Sequence, residues 1–130
     1  MNIQQFVNRY RVSASAKWAD KNPNMADMPS GSSHYKVTLR HDGRQLTVHF
    51  SQGPAICQEP TAKDVLNCLV SDACGFDNAQ SFEDWASEYG YDADSRKAER
   101  TYKVVERQTT ALKRVFGDLF DTLVYHTEGL

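Results

Sequence analysis

The chain has 130 residues, 40% hydrophobic and 25% charged, with a formal net charge of −2; this is ordinary globular usage, and enough chain to bury a core without disulfide or metal staples. A membrane span needs roughly 18 consecutive apolar residues, and no run approaches that, nor does Met1-Asn2-Ile3-Gln4-Gln5-Phe6 carry the basic and apolar blocks of a signal peptide. The expectation is one soluble domain, residues 1–130, monomeric and cytoplasmic.

Residues 9–18, Arg9-Tyr10-Arg11-Val12-Ser13-Ala14-Ser15-Ala16-Lys17-Trp18, alternate polar and apolar. That is the period of a half-buried strand, with Tyr10, Val12, Ala14, Ala16 and Trp18 on its inner side. Residues 19–33 hold Pro23, Pro29, Gly31 and a cluster of Asn, Asp and Ser, so they read as a loop, with Met25 and Met28 inside it. Next, His34–Arg40 and Gln45–Phe50 flank Asp42-Gly43, the preferred pair for a two-residue type I′ turn. That turn sets Leu39 opposite Leu46, Val37 opposite Val48 and Tyr35 opposite Phe50. Turn chemistry and apolar pattern therefore agree on one hairpin register.

Helices follow. Thr61 predicts an N-cap with Asp64 completing a capping box, and Val65, Leu66, Leu69, Val70 and Ala73 form the apolar stripe. Gly75 is the expected stop of that helix, after Gly53-Pro54 has marked a turn upstream. Ser81 caps a second helix whose inward residues are Phe82, Trp85, Ala86 and Tyr89, with Gly90 as its stop. A long helix is predicted from about Asp94 to Phe116, because Ala98, Tyr102, Val105, Thr109, Leu112 and Phe116 recur every three or four residues. Asp118–Tyr125 reads as one further short helix. The fold class is α+β: a three-stranded antiparallel sheet with one face under three to four C-terminal helices.

The charge is segregated. Asp64–Ser95 contains eight acids and no Lys or Arg. Of these, Asp77, Glu83, Asp84, Glu88, Asp92 and Asp94, with Tyr91 as an aromatic anchor, form a candidate acidic surface around the short helix. Arg9, Arg11, Lys17, Lys36 and Arg40 form a candidate basic surface on the polar face of the sheet. The long helix adds Arg96, Lys97, Arg100, Lys103 and Arg107, partly balanced by Glu99 and Glu106. Solvated faces, helix-dipole complementation and internal pairing account for such segregation as well as a charged partner does.

No catalytic constellation is visible. His34 and His49 lie on neighbouring strands without a companion Cys or carboxylate at metal spacing, and Asp92 and Asp94 lack the ligand order of a calcium loop. Cys57 has no activating base beside it, and Cys57, Cys68 and Cys74 read as small hydrophobes near a core. The chain is expected to be a non-enzyme without metal or cofactor.

The segment Pro60–Ala73 (PTAKDVLNCLVSDA) and the segment Ser81–Glu99 (SFEDWASEYGYDADSRKAE) resemble a family of small accessory proteins of tailed bacteriophages and prophages. The likeness extends upstream through Asn22-Pro23-Asn24-Met25 and the Ser33–Phe50 hairpin. The resemblance implies a bacterial cytoplasm and a mobile genetic element, and supplies no catalytic residues. It implies a protein that binds a host protein, such as an anti-CRISPR inhibitor placing its acidic helical surface on the nucleic-acid site of an effector subunit. The alternative is a phage accessory protein that binds nucleic acid through the basic sheet face.

Overall fold

The computed structural model describes residues 2–19, 33–52 and 59–128. Met25, Met28, the Gly53-Pro54 turn and Cys57 lie outside them. The described chain opens with a helix, α1 (Ile3–Arg9), which the strand pattern of residues 9–18 conceals. Asn2 and Gln5 form a reciprocal capping box, and Ile3, Phe6 and Val7 put the i, i+3, i+4 stripe of this helix into the core. The strand reading is therefore corrected at its start. Arg9 closes α1, Tyr10-Arg11 turn the chain with Arg11 at φ 54°, and β1 runs Ser13–Ala19.

β2 (Ser33–His41) and β3 (Arg44–Gln52) form the expected hairpin, with Leu39↔Leu46, Val37↔Val48 and Tyr35↔Phe50 in register. Asp42 and Gly43 both take positive φ, 49° and 75°, as a type I′ turn requires. β1 pairs antiparallel with β2, so the order is β1-β2-β3 with β1 and β3 as edges. Val12, Ala14 and Ala16 point to the core side as the alternation predicts. Trp18 does not follow: it is 61% exposed at the far end of the edge strand.

The C-terminal helices cover the inner face of the sheet. α2 (Ala62–Asn78) starts at the Thr61–Asp64 capping box, where the Thr61 N–H donates to Asp64 Oδ2 at 2.9 Å. It runs past Gly75, which is inside the helix and not its stop. Any side chain there would collide with the Tyr89 hydroxyl, so the glycine makes room for the ring that follows the last turn of the next helix. That helix, α3 (Phe82–Glu88), is capped by Ser81 and ended by Gly90 at φ 75°. α4 (Arg96–Phe116) is capped by Ser95, and a 3₁₀ turn (Gly117–Leu119) leads into α5 (Phe120–Glu128).

Two apolar clusters result. The larger joins the sheet (Val37, Leu39, Leu46, Val48) to α1, α2, α4 and α5 through Phe6, Leu66, Leu112 and Leu123. The smaller is aromatic: Trp85, 3% exposed, with Phe76, Phe82, Tyr91 and Tyr102 around it and Val105 beneath. Tyr91 stacks on Trp85 at 5.2 Å and 6° between ring planes, and Tyr102 meets the same indole edge-on at 5.1 Å. This cluster fixes α3 on the apolar side of α4. Among the described residues no helix is long and apolar enough to cross a membrane.

Candidate binding surfaces

The acidic window does reach the surface around α3, but much of its charge is held by the local architecture. Asp64 belongs to the α2 capping box. Asp77 Oδ1 accepts from Lys113 Nζ at 2.9 Å, tying α2 to α4. Asp84 Oδ2 accepts the Gln80 N–H at 3.1 Å, and Asp92 Oδ1 accepts the Asp94 N–H at 3.0 Å in the turn before α4. Tyr91, the candidate aromatic anchor, is partly exposed and stacks on Trp85. Glu83, Glu88 and Asp94 remain, all exposed. Tyr89 stands beside them at 46% exposure, on the rim of a hollow that Asp84 and Glu88 also line. Burial first, then Asp72, Glu88 and Cys74, raises its phenol pKa.

The basic candidates are rearranged. Arg9 and Arg11 are not on the polar face of the sheet, since Arg9 ends α1 and Arg11 sits in the turn after it. Lys17 and Lys36 are cross-strand neighbours on that face, and Lys36 is in turn opposite His49. Burial and then the Lys36 charge lower the His49 pKa. Arg40 Nη1 donates to Ser15 Oγ at 3.0 Å, and Thr38 and Thr47 share a hydrogen bond at 3.0 Å across the same face. The sheet face thus offers three cations among hydroxyls, Lys17 and Lys36 directly opposite each other and Arg40 apart from them.

A denser positive surface lies elsewhere. On α4, Arg96, Arg100, Lys103, Arg107 and Arg114 are spaced 4, 3, 4 and 7 residues apart, all exposed. At 3.6 residues per turn they fall on one line, about 27 Å long at 1.5 Å per residue, opposite the stripe that packs on the core. Lys103 pairs with Glu99 at 3.2 Å; among the described residues this and Asp77–Lys113 are the two ion pairs. The ridge continues onto the hairpin. Arg114 Nη2 donates to the Gln45 carbonyl at 3.1 Å, and Arg44 Nη1 donates to the Arg114 carbonyl at 3.3 Å. Arg44 in turn lines a hollow of about 270 Å³ at the hairpin tip with Arg11 and Arg40, where Asp42 is the acid present. The sequence shows four of these ridge residues as charges of the long helix, but not their alignment or their junction with a hairpin about 70 positions away.

The chemistry of the remaining candidates is modest. Cys74 packs half-buried on the main core as expected of a small hydrophobe, whereas Cys68 is an exposed thiol on α2. Desolvation of the sulfur and then Asp72 and Asp64 raise the Cys68 pKa, which keeps it a poor nucleophile. His34 Nδ1 lies 3.4 Å from Ser51 Oγ, and His41 Nδ1 donates to the Tyr10 carbonyl at 3.0 Å while its ring stacks on Phe116. Among the described residues no three of His, Cys, Asp and Glu come together as a metal-holding group. No protein-family model, curated protein or solved structure matches this chain.

Proposed function

We propose that the protein is a nucleic-acid-binding accessory protein of a bacteriophage or prophage, which engages the phosphate backbone through the α4 ridge and the hairpin tip. The observation that carries this reading is the line of exposed cations Arg96, Arg100, Lys103, Arg107 and Arg114, of which Lys103 alone has a carboxylate partner among the described residues. Such a line matches a linear polyanion better than a compact ligand, and binding proceeds by counterion release. The side chains of the ridge are flexible and aromatic-free, so the reading is of backbone contact without base recognition. The phage setting comes from the resemblance of Pro60–Ala73 and Ser81–Glu99.

The test is fluorescence anisotropy with labelled single-stranded and duplex oligonucleotides over a salt series. Five phosphate contacts predict a log–log salt slope of about −4.5 on duplex and about −3.5 on single strands. Absence of binding at low salt, or binding insensitive to salt, overturns the reading.

A second reading is favoured by a specific feature of α3. Glu88 sits in the last turn of that helix, where a carboxylate opposes the helix dipole and gives no stability in return. With Glu83, Asp94 and the exposed Tyr89 it makes a surface suited to a basic site, in keeping with an inhibitor of a host defence complex of the anti-CRISPR kind. Its test is charge reversal of Glu83, Glu88 and Asp94 to Lys, sparing Asp84 because that carboxylate caps the backbone. Full inhibition of an effector by the folded triple variant overturns this reading.

A further inference from the structure

We propose that the outer edge of β3, with the flank of α4 beside it, is a strand-addition site for an extended acidic segment of a partner protein. β3 is an edge of the sheet. The two-residue loop makes His41↔Arg44 a hydrogen-bonded pair, so ladder bonds to β2 fall on every second residue from Arg44. Gln45, Thr47 and His49 therefore turn their backbone N–H and C=O groups outward. The direction is visible at Gln45, whose carbonyl is the one that Arg114 reaches. The backbone groups of Thr47 and His49 have no hydrogen-bond partner among the described residues.

These groups open into a cleft of about 540 Å³ between β3 and α4. Val104 and Ala111 line it from α4 with Leu46 and Val48 from β3, and Arg107 and Arg114 supply its charge; among the described residues no acid lines it. An added strand would satisfy the edge, and every second one of its side chains would face α4, apolar ones meeting Val104 and Ala111 and carboxylates between them meeting Arg107 and Arg114. Phosphates satisfy neither the backbone ladder nor the apolar lining. A second copy of β3 would bring the Arg107 and Arg114 of both chains together, and like charges facing across paired strands are destabilising. The proposal goes beyond backbone binding of nucleic acid, although the two share Arg107 and Arg114.

The probe is a capped synthetic heptapeptide, Val-Thr-Asp-Thr-Val-Thr-Glu, whose odd positions share one face, titrated into ¹⁵N-labelled protein, with a control in which Lys replaces both acids. The expected result is that the Thr47 and His49 amide resonances shift and both amides gain at least tenfold protection from hydrogen exchange at saturation. Thr47→Pro removes an outward N–H without breaking the ladder to β2, and Ala111→Gln narrows the cleft without changing charge. Each should weaken the peptide at least tenfold, while Ala111→Gln should leave oligonucleotide affinity within twofold. Should Thr47→Pro fail to fold, Ala111→Gln alone decides. Equal binding of the Lys peptide, shifts mapping away from β3, or an Ala111→Gln variant with undiminished peptide affinity overturns the proposal. So does an oligonucleotide that shifts the same two amides and displaces the peptide, or a concentration-dependent dimer that Ala111→Gln abolishes.

Discussion

The acid-rich stretch around α3 and the cation-rich ridge of α4 carry similar amounts of charge and use it in opposite ways. In the first, Asp64, Asp84 and Asp92 accept backbone N–H groups and Asp77 bridges two helices. In the second, Arg96, Arg100 and Arg107 project from the far side of a helix whose core face is already satisfied. The difference teaches that a charge count overstates an acidic surface and understates a basic one. Short carboxylates fold back onto nearby N–H donors, whereas long cationic side chains on an amphipathic helix reach solvent.

The strongest way to break this comparison is to reverse the ridge. Arg100→Glu/Lys103→Glu/Arg107→Glu should weaken oligonucleotide binding by roughly a hundredfold or more at low salt, since several phosphate contacts are lost at once. Unfolding in urea should be little changed, because these side chains are exposed and the ion pair lost, Lys103–Glu99, is exposed as well. A large loss of stability instead would place the ridge among the structural charges.

On the acidic side the expected signs exchange. Thr61→Ala removes the α2 cap and should cost about 1 kcal/mol in urea unfolding with no change in oligonucleotide affinity. A neutral result would show that Asp64 is held for something other than the helix start.

Gly75 and Tyr89 sharpen the contrast further. In a Tyr89→Ala background, Gly75→Ala should stabilise by about 1 kcal/mol, the ordinary helix preference for alanine. With Tyr89 present the new methyl meets the ring, so the gain should shrink and Tyr89 should swing outward, read by its fluorescence and by NMR. Equal gains in both backgrounds would show that the ring does not occupy the space above Gly75.

The smallest effect concerns His49. Its folded pKa lies below the ordinary value near 6.5, with burial the first cause and Lys36 the second. The unfolded chain therefore binds the extra proton first, and stability rises with pH through the window that ends near 6.5, then stays level. His49→Gln should flatten that segment of the stability profile, measured by urea unfolding between pH 5 and 7. An unchanged slope would assign the titration to another group.

Much of the fold was legible in the sequence because it is written in local terms. Asp42-Gly43 admits the positive φ of a type I′ turn, and the apolar alternation on either side accepts one register. The caps at Thr61 and Ser81 and the 3–4 spacing of the α4 core stripe are equally local. α1 was legible too, in Asn2-Ile3-Gln4-Gln5 as a capping box ahead of Phe6 and Val7, but the strand expectation began at Arg9 and assigned no element to the residues before it. Gly75 misled for a different reason: a glycine near a helix end signals a stop by its backbone, and here it serves by lacking a side chain. The need for that space arises from Tyr89, which no local pattern near Gly75 announces.

The sequence by itself determined the elements, their caps, the hairpin register and the α+β class, since each follows from the backbone preferences and periodicity of neighbouring residues. Tertiary structure alone decided which charges are free. Whether Tyr91 anchors a partner or stacks on Trp85, and whether Arg44 and Arg11 extend the α4 ridge, depends on approach between distant segments. Those approaches are set by burial of the apolar clusters, a non-directional force that leaves no spacing rule along the chain.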